Sequence, residues 1–195
     1  RKVFKDDQIL VSTDSEEIKE CVEATGLKVP FLRPPELASN TAGMNEVLMH
    51  AIKWVESTGY NPDILVLLQA TTPFRNANHI REAMLLYDSL TEMVVSVKEA
   101  DSNPYYGLFE ENQDGWLERS KKGSFVTRQE CPKVWQYNGG IYIINVKALK
   151  EKTLKGLSRI RKYVMDQWSS VDIDSPLDWE VAEVIAKKFA YNQEI

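Results

Sequence analysis

The run Asp63-Ile64-Leu65-Val66-Leu67-Leu68-Gln69-Ala70-Thr71-Thr72-Pro73-Phe74-Arg75 decides how this chain is read. Ile64 to Leu68 is its most continuous apolar segment. Unbroken apolarity over so short a length reads as a strand buried on both faces, and so predicts a covered parallel sheet. Polar residues follow directly. The ground just past the C-terminal end of a central parallel strand is where such sheets bind ligands. Gln69 and Thr71 offer the amide and hydroxyl that a nucleotide or sugar needs, and Arg75 offers a cation for phosphate. The same residues also fit an ordinary polar loop leading into a helix.

Working outward, strands alternate with helices. Upstream, Gln8 to Asp14 reads as a strand with Ser12, Thr13 and Asp14 at its end. Ser15 caps a helix with Glu16 and Glu17 in its first turn, ending at Gly26. Lys28 to Leu32 reads as a second strand, followed by Arg33-Pro34-Pro35, which forces an extended turn. Ser39-Asn40-Thr41 precedes a helix from about Met44 to Glu56, with Val47, Leu48, Ala51, Ile52 and Val55 at helical spacing. Downstream come a helix near 78–86, a strand at Met93 to Val97 and an irregular stretch, 98–135, that reads as a protruding subdomain. The turn Asn138-Gly139-Gly140 opens a strand, and a helix near 146–154 and a strand at 159–165 follow. This alternation makes the class α/β.

The stretch Ser169-Ser170-Val171-Asp172-Ile173-Asp174-Ser175-Pro176-Leu177-Asp178-Trp179 carries the sharpest chemistry. In an extended segment Asp172 and Asp174 share a face. Two adjacent carboxylates repel, and a divalent cation relieves the repulsion. Few, hard oxygen ligands with room for water and phosphate suit Mg²⁺. Ser175 reads as a helix N-cap with Pro176 at the first helical position. An exposed strand end with solvated acids before an ordinary capped helix has the same local pattern. Arg33, stiffened by two prolines, is either a surface arginine beside a turn or a reader of a base carbonyl. Asn138-Gly139-Gly140 is either a bare turn or a place where backbone approaches a ligand closely.

Composition narrows the classes. The 195 residues suffice for one domain with a sizeable core, and a net charge of −5 argues against a nucleic-acid surface. The two cysteines, Cys21 and Cys131, make neither a disulfide framework nor a metal motif, so a reducing cytoplasm is the default. His50 and His79 lack partners at zinc spacing. The sequence shows no membrane span, nucleophile elbow, Walker loop or HExxH helix.

Taken in order, six pieces resemble one family, the acylneuraminate cytidylyltransferases or CMP-sialic acid synthetases. They are Val11-Ser12-Thr13-Asp14, Arg33-Pro34-Pro35-Glu36-Leu37-Ala38-Ser39, Leu67 to Arg75, Arg128-Gln129, Asn138-Gly139-Gly140-Ile141-Tyr142 and Asp172 to Asp178. The resemblance implies a Rossmann-like nucleotidyltransferase sheet with helices on both faces and a small protruding dimerisation subdomain at 98–135. It implies a reaction that joins CTP to the anomeric hydroxyl of a nonulosonic acid, giving the CMP-sugar and pyrophosphate. Asp172 and Asp174 then look like the catalytic pair and Mg²⁺ ligands. Arg33, Gln69 and Thr71 look like nucleotide contacts. Gln69, Arg128, Asn138 and Tyr142 look like sugar contacts, with Arg128 reaching in from the partner subunit of a homodimer. Neither nucleic acid nor membrane is an expected partner.

The chain also departs from the family pattern. The family opens with a strand, a phosphate-cradling Ala-Arg-x-Gly-Ser-Lys type loop and a helix. None is present here, so 1–195 reads as a single domain short of that segment. The expectation is that roughly 35–50 residues precede Arg1 in the native protein. Ala70-Thr71-Thr72-Pro73 replaces the usual Pro-Thr-Ser-Pro. Asn40, Met44 and Tyr106 stand where relatives carry Asp, Ser and Lys, and the family's aromatic pair is not recognisable around Lys155-Gly156. These departures bear on which acid is used, more than on the reaction. Alternatives are a nucleotidyltransferase for a hexose phosphate or for another acidic sugar, of deoxyoctulosonate, legionaminate or pseudaminate type, and a non-catalytic homologue that binds a ligand or partner.

Overall fold

The computed structural model describes residues 1–39 and 43–193, with side chains as far as 188. Asn40 and Thr41, singled out above, lie outside the described residues. In chain order the elements are α1 (Glu16–Glu23), α2 (Met44–Ser57), β1 (Ile64–Leu67), α3 (Ala77–Leu85), β2 (Met93–Glu99), β3 (Phe109–Glu111), β4 (Leu117–Arg119), β5 (Trp135–Asn145), α4 (Val146–Gly156), β6 (Ile160–Val164) and α5 (Pro176–Gln193). The main sheet has the order β1-β5-β2-β6, and β3 and β4 form a separate antiparallel pair.

Two readings of the sequence are corrected here. β1 pairs with β5 antiparallel, with Ile64 opposite Asn145 and Leu67 opposite Tyr142. All four of its residues are only half-buried, because β1 stands at the end of the strand order. Apolar content reports partial burial, and it does not encode strand direction. The expected strands at 8–14 and 28–32 are not strands. A single backbone bond ties the first stretch to the residue just past the second, from the Arg33 N–H to the Thr13 carbonyl at 2.7 Å, and one bond is not a ladder.

Contacts divide the chain into two compact units. The first comprises Arg1–Leu67, Asn76–Val94 and Tyr142–Arg161. Its helices start where the sequence says they should. Ser15 Oγ accepts the Ile18 N–H at 3.2 Å, and Asn76 Oδ1 accepts the N–H groups of Asn78 and His79. α2 buries Leu48 and Ile52 and packs against α4, with Glu56 ion-paired to Lys150 across the pair. His50 packs edge-on to Phe31 at 4.8 Å. Among the described residues no helix is long and apolar enough to cross a membrane.

Glu92 pins the foot of β2 in this unit. It is 1% exposed, and its carboxylate accepts from Lys152, from Arg159 and from the Ser158 and Arg159 backbone N–H groups. The Lys152 hydrogen bond first, then the Ser158 N–H, hold its carboxyl down at about 2. A depressed folded-state pKa adds stability that is fully present above the ordinary glutamate value and is lost as pH falls toward 2. Glu92→Gln should therefore be less stable than wild type at pH 7. The gap should close as pH drops from 4.5 toward 2, followed by urea unfolding at each pH. A gap independent of pH would assign the effect to packing.

The second unit comprises Leu68–Arg75, Val95–Ile141 and Lys162–Ile195. Val95, Val97, Ile141, Met165 and Ile185 are buried within it. Residues 98–135 fall inside this unit and contain β3 and β4, which expose Phe109, Trp116 and Leu117.

Candidate active site

In the second unit, three segments far apart in sequence meet at one glycine. Gly139 sits in β5 at φ +73°, a conformation L side chains rarely adopt. A Cβ there would lie 2.7 Å from Gln69 Oε1, 3.0 Å from Thr72 Oγ1 and 3.4 Å from Asp172 Oδ2. The amide oxygen, the hydroxyl and the carboxylate thus converge on the space a side chain would fill.

Each arm is held separately. Arg75 Nη1 donates to the Gln69 carbonyl at 2.6 Å and to the Thr72 carbonyl, closing the turn after β1. Burial lowers the Arg75 pKa, and these carbonyls take up the cation. Arg75 therefore braces its own loop. The Thr71 carbonyl accepts the Ile173 N–H at 2.9 Å, while the Thr71 side chain is exposed. Asn138 is buried, and all its side-chain capacity is met within the protein. Its Oδ1 accepts from Ser96 Oγ at 2.6 Å and the Gly140 N–H at 3.1 Å; its Nδ2 donates to Ser170 Oγ at 2.8 Å and Met165 Sδ at 3.5 Å. Ser96 Oγ also accepts the Ile141 N–H at 2.7 Å.

Asp172 is half-buried and Asp174 exposed, in an extended segment that joins no sheet. Neither carboxylate carries an ion pair among the described residues. Just beyond, Ser175-Pro176-Leu177-Asp178 forms a reciprocal cap on α5. The Asp178 carboxylate accepts the Ser175 N–H at 2.8 Å, and Ser175 Oγ accepts the Asp178 N–H at 3.4 Å. The Ser175 hydroxyl, donating at 2.7 Å, is the main cause of a lowered Asp178 pKa. The Asp174 N–H also donates to Asp178, at 3.2 Å, so the cap steadies the backbone that presents Asp174. Among the described residues no three His, Cys, Asp or Glu side chains gather into a metal cage. Two unpaired carboxylates are the donor set that suits Mg²⁺, which keeps waters and takes phosphate oxygens.

The remaining candidates have local surroundings of their own. Arg128 is in a short 3-10 turn, exposed, and donates to the Asp101 carbonyl at 2.8 Å. In the first unit, Tyr142 is half-buried opposite Leu67, and Arg33 is ion-paired with Asp14. That contact is the leading cause of a lowered Asp14 pKa. Among the described residues, Arg33 Nε, Ser12 Oγ and His50 Nδ1 are buried without a hydrogen-bond partner. The sequence reading did not single out Thr72, Ser96 or Ser170. Ser96 alone has a local signal, a lone hydroxyl in the apolar strand Met93-Val94-Val95-Ser96-Val97.

The fold is that of the Rossmann-like nucleotidyltransferases. A solved structure of 4-diphosphocytidyl-2C-methyl-D-erythritol synthase is similar to it with a TM-score of 0.57 at 10% identity, covering 91% of this chain and 78% of that one. The profile described as Cytidylyltransferase matches residues 2–138, and the chain belongs to that family. Relatives include post-translational flagellin modification protein B of Campylobacter coli, 34% identical over 96% of this chain and 79% of that protein. CMP-N,N'-diacetyllegionaminic acid synthase of Legionella pneumophila is 28% identical over 96% and 80%. N-acylneuraminate cytidylyltransferase of Escherichia coli is 32% identical over 93% of this chain and 42% of that protein.

Gly139 and Gly59 both have positive φ, but an added Cβ at Gly59 meets nothing within 4 Å. Gly59→Ala should cost only the backbone strain, about 1–2 kcal/mol. Gly139→Ala should cost more and also suppress turnover. Equal losses of stability with activity intact would show that the convergence at Gly139 has no functional part.

Proposed function

We propose that this protein activates a nonulosonic acid with CTP. The anomeric hydroxyl gives up its proton to solvent as its oxygen bonds to the α-phosphorus, the bond from that phosphorus to the bridging β-phosphate oxygen breaks, and pyrophosphate leaves with the CMP-sugar formed. The observation that carries the reading is the convergence of Gln69, Thr72 and Asp172 on Gly139 in a chain of this family. Asp172 and Asp174 would hold Mg²⁺, which when bound neutralises phosphate charge and lowers the pKa of the attacking hydroxyl. Arg33 Nε and Ser12 Oγ supply unpartnered groups for the cytosine edge, and Thr71 a free hydroxyl for the nucleotide. Gln69 and Tyr142 contact the sugar. Asn138, its side chain already occupied, acts through the backbone it holds. Orientation of the two substrates by these fixed groups supplies much of the rate.

Relatives named for legionaminate and for acylneuraminate stand at 28% and 32% identity. The substrate class is accordingly the nonulosonic acids, with acylneuraminate the first member to test. The reading includes a cytoplasmic homodimer in which 98–135 forms the contact and Arg128 reaches the partner's sugar carboxylate, a group its planar fork suits.

Pyrophosphate release should require CTP over UTP, ATP and GTP, and a nonulosonic acid over deoxyoctulosonate and hexose phosphates. Asp174→Ala should lower the rate by about 10²-fold or more without unfolding the chain. Release with every acid absent from this class, or none with any, would reject the reading.

Mixing inactive Arg128→Ala and Asp174→Ala proteins tests the shared site. Random subunit exchange should restore about a quarter of wild-type activity, since about half the dimers are mixed and each has one intact site. No recovery after verified exchange places Arg128 outside the partner's site.

A further inference from the structure

Thr72 is fully buried yet polar, and its hydroxyl has one proton for two acceptors. The Asn138 carbonyl lies 3.1 Å away and Asp172 Oδ1 3.4 Å away. Among the described residues no other side chain donates to Asp172, which is separated from Thr72 by 100 positions in sequence. The preceding residue binds the same segment a second time, through the Thr71 carbonyl and the Ile173 N–H. Consecutive residues of one turn thus hold both the backbone beside Asp172 and its side chain. Arg75 clamps that turn from behind.

We propose that Thr72 is a positioning residue for the Asp172 carboxylate. The hydroxyl fixes the rotation of the carboxylate by donating to Oδ1 and leaves its other lone pairs for a hard cation. Groups that hydrogen-bond a metal-ligating carboxylate orient it, and their loss typically weakens metal affinity by about 10–100-fold. The proposal rests on the metal-dependent reading above, which counts Thr72 in the convergence at Gly139 but gives its hydroxyl no task.

Mn²⁺ binding, followed by water-proton relaxation on the whole protein, tests it without substrate. Thr72→Val keeps the side-chain shape and removes the donor; Thr72→Ser keeps the donor; Asp172→Asn removes the ligand charge. Thermal unfolding is recorded for each. Thr72→Val should bind Mn²⁺ about 10-fold more weakly than wild type, with Thr72→Ser restored to wild-type affinity and Asp172→Asn weakest. If Thr72→Val does not fold, Thr72→Cys replaces it, with the same direction and a smaller loss. Wild-type affinity in the donor-free variant, while Asp172→Asn loses binding, overturns the role of Thr72 and leaves the metal reading standing. Unchanged binding in Asp172→Asn overturns both. A Thr72→Val protein with a lowered melting temperature and intact Mn²⁺ binding would mean that the hydroxyl serves only the Asn138 carbonyl.

Discussion

The constraint on which the candidate site depends is the absence of a side chain at residue 139. With φ at +73° and only a hydrogen facing them, Gly139 lets Gln69, Thr72 and Asp172 approach one point. These residues belong to the turn after β1 and to the segment before α5, neither of which has a ladder of its own there. Their closeness is therefore set by β5, which carries Gly139. Any larger residue would push apart the amide, the hydroxyl and the carboxylate that meet there.

Around that point the protein builds rigidity from polar groups. A buried amide left without partners costs about 1–3 kcal/mol, so a network of this kind stabilises only when every member is satisfied. Asn138 meets that condition through Ser96, Gly140, Ser170 and Met165. Arg75 does the same for the turn at Gln69 to Thr72. Sites held this way keep their geometry without waiting for ligand, which is what positioning catalysis demands. Among the described residues the carboxylates of Asp172 and Asp174 carry no ion pair.

Signals in the sequence are legible where the physics is local. The 3.6-residue period of α2, the Ser15 cap and the Ser175 cap all depend on neighbours within four residues. Strand assignment failed at 8–14 and 28–32 because a strand needs a partner that the segment itself does not encode. The direction of β1 was misread for the same reason. Gln69, Thr71, Asn138 and Asp172 were recognisable as an ordered set of motif residues. The bonds that reach Asn138 and Asp172 come from Thr72, across 66 and 100 residues, so no local pattern reveals them. Thr72 and Ser170 look like ordinary loop residues until the fold brings their hydroxyls inside.

The most direct test of nucleotidyl transfer at this site is an isotope measurement. A nonulosonic acid labelled with ¹⁸O at its anomeric hydroxyl is incubated with CTP, Mg²⁺ and the protein, and the ³¹P resonance of the CMP-sugar is examined. Attack of the sugar oxygen on the α-phosphorus keeps the carbon–oxygen bond, so the label should remain in the phosphodiester bridge and shift the resonance upfield. An unshifted CMP-sugar signal, with the label released to water, would mean that the sugar–oxygen bond had broken and would contradict the account.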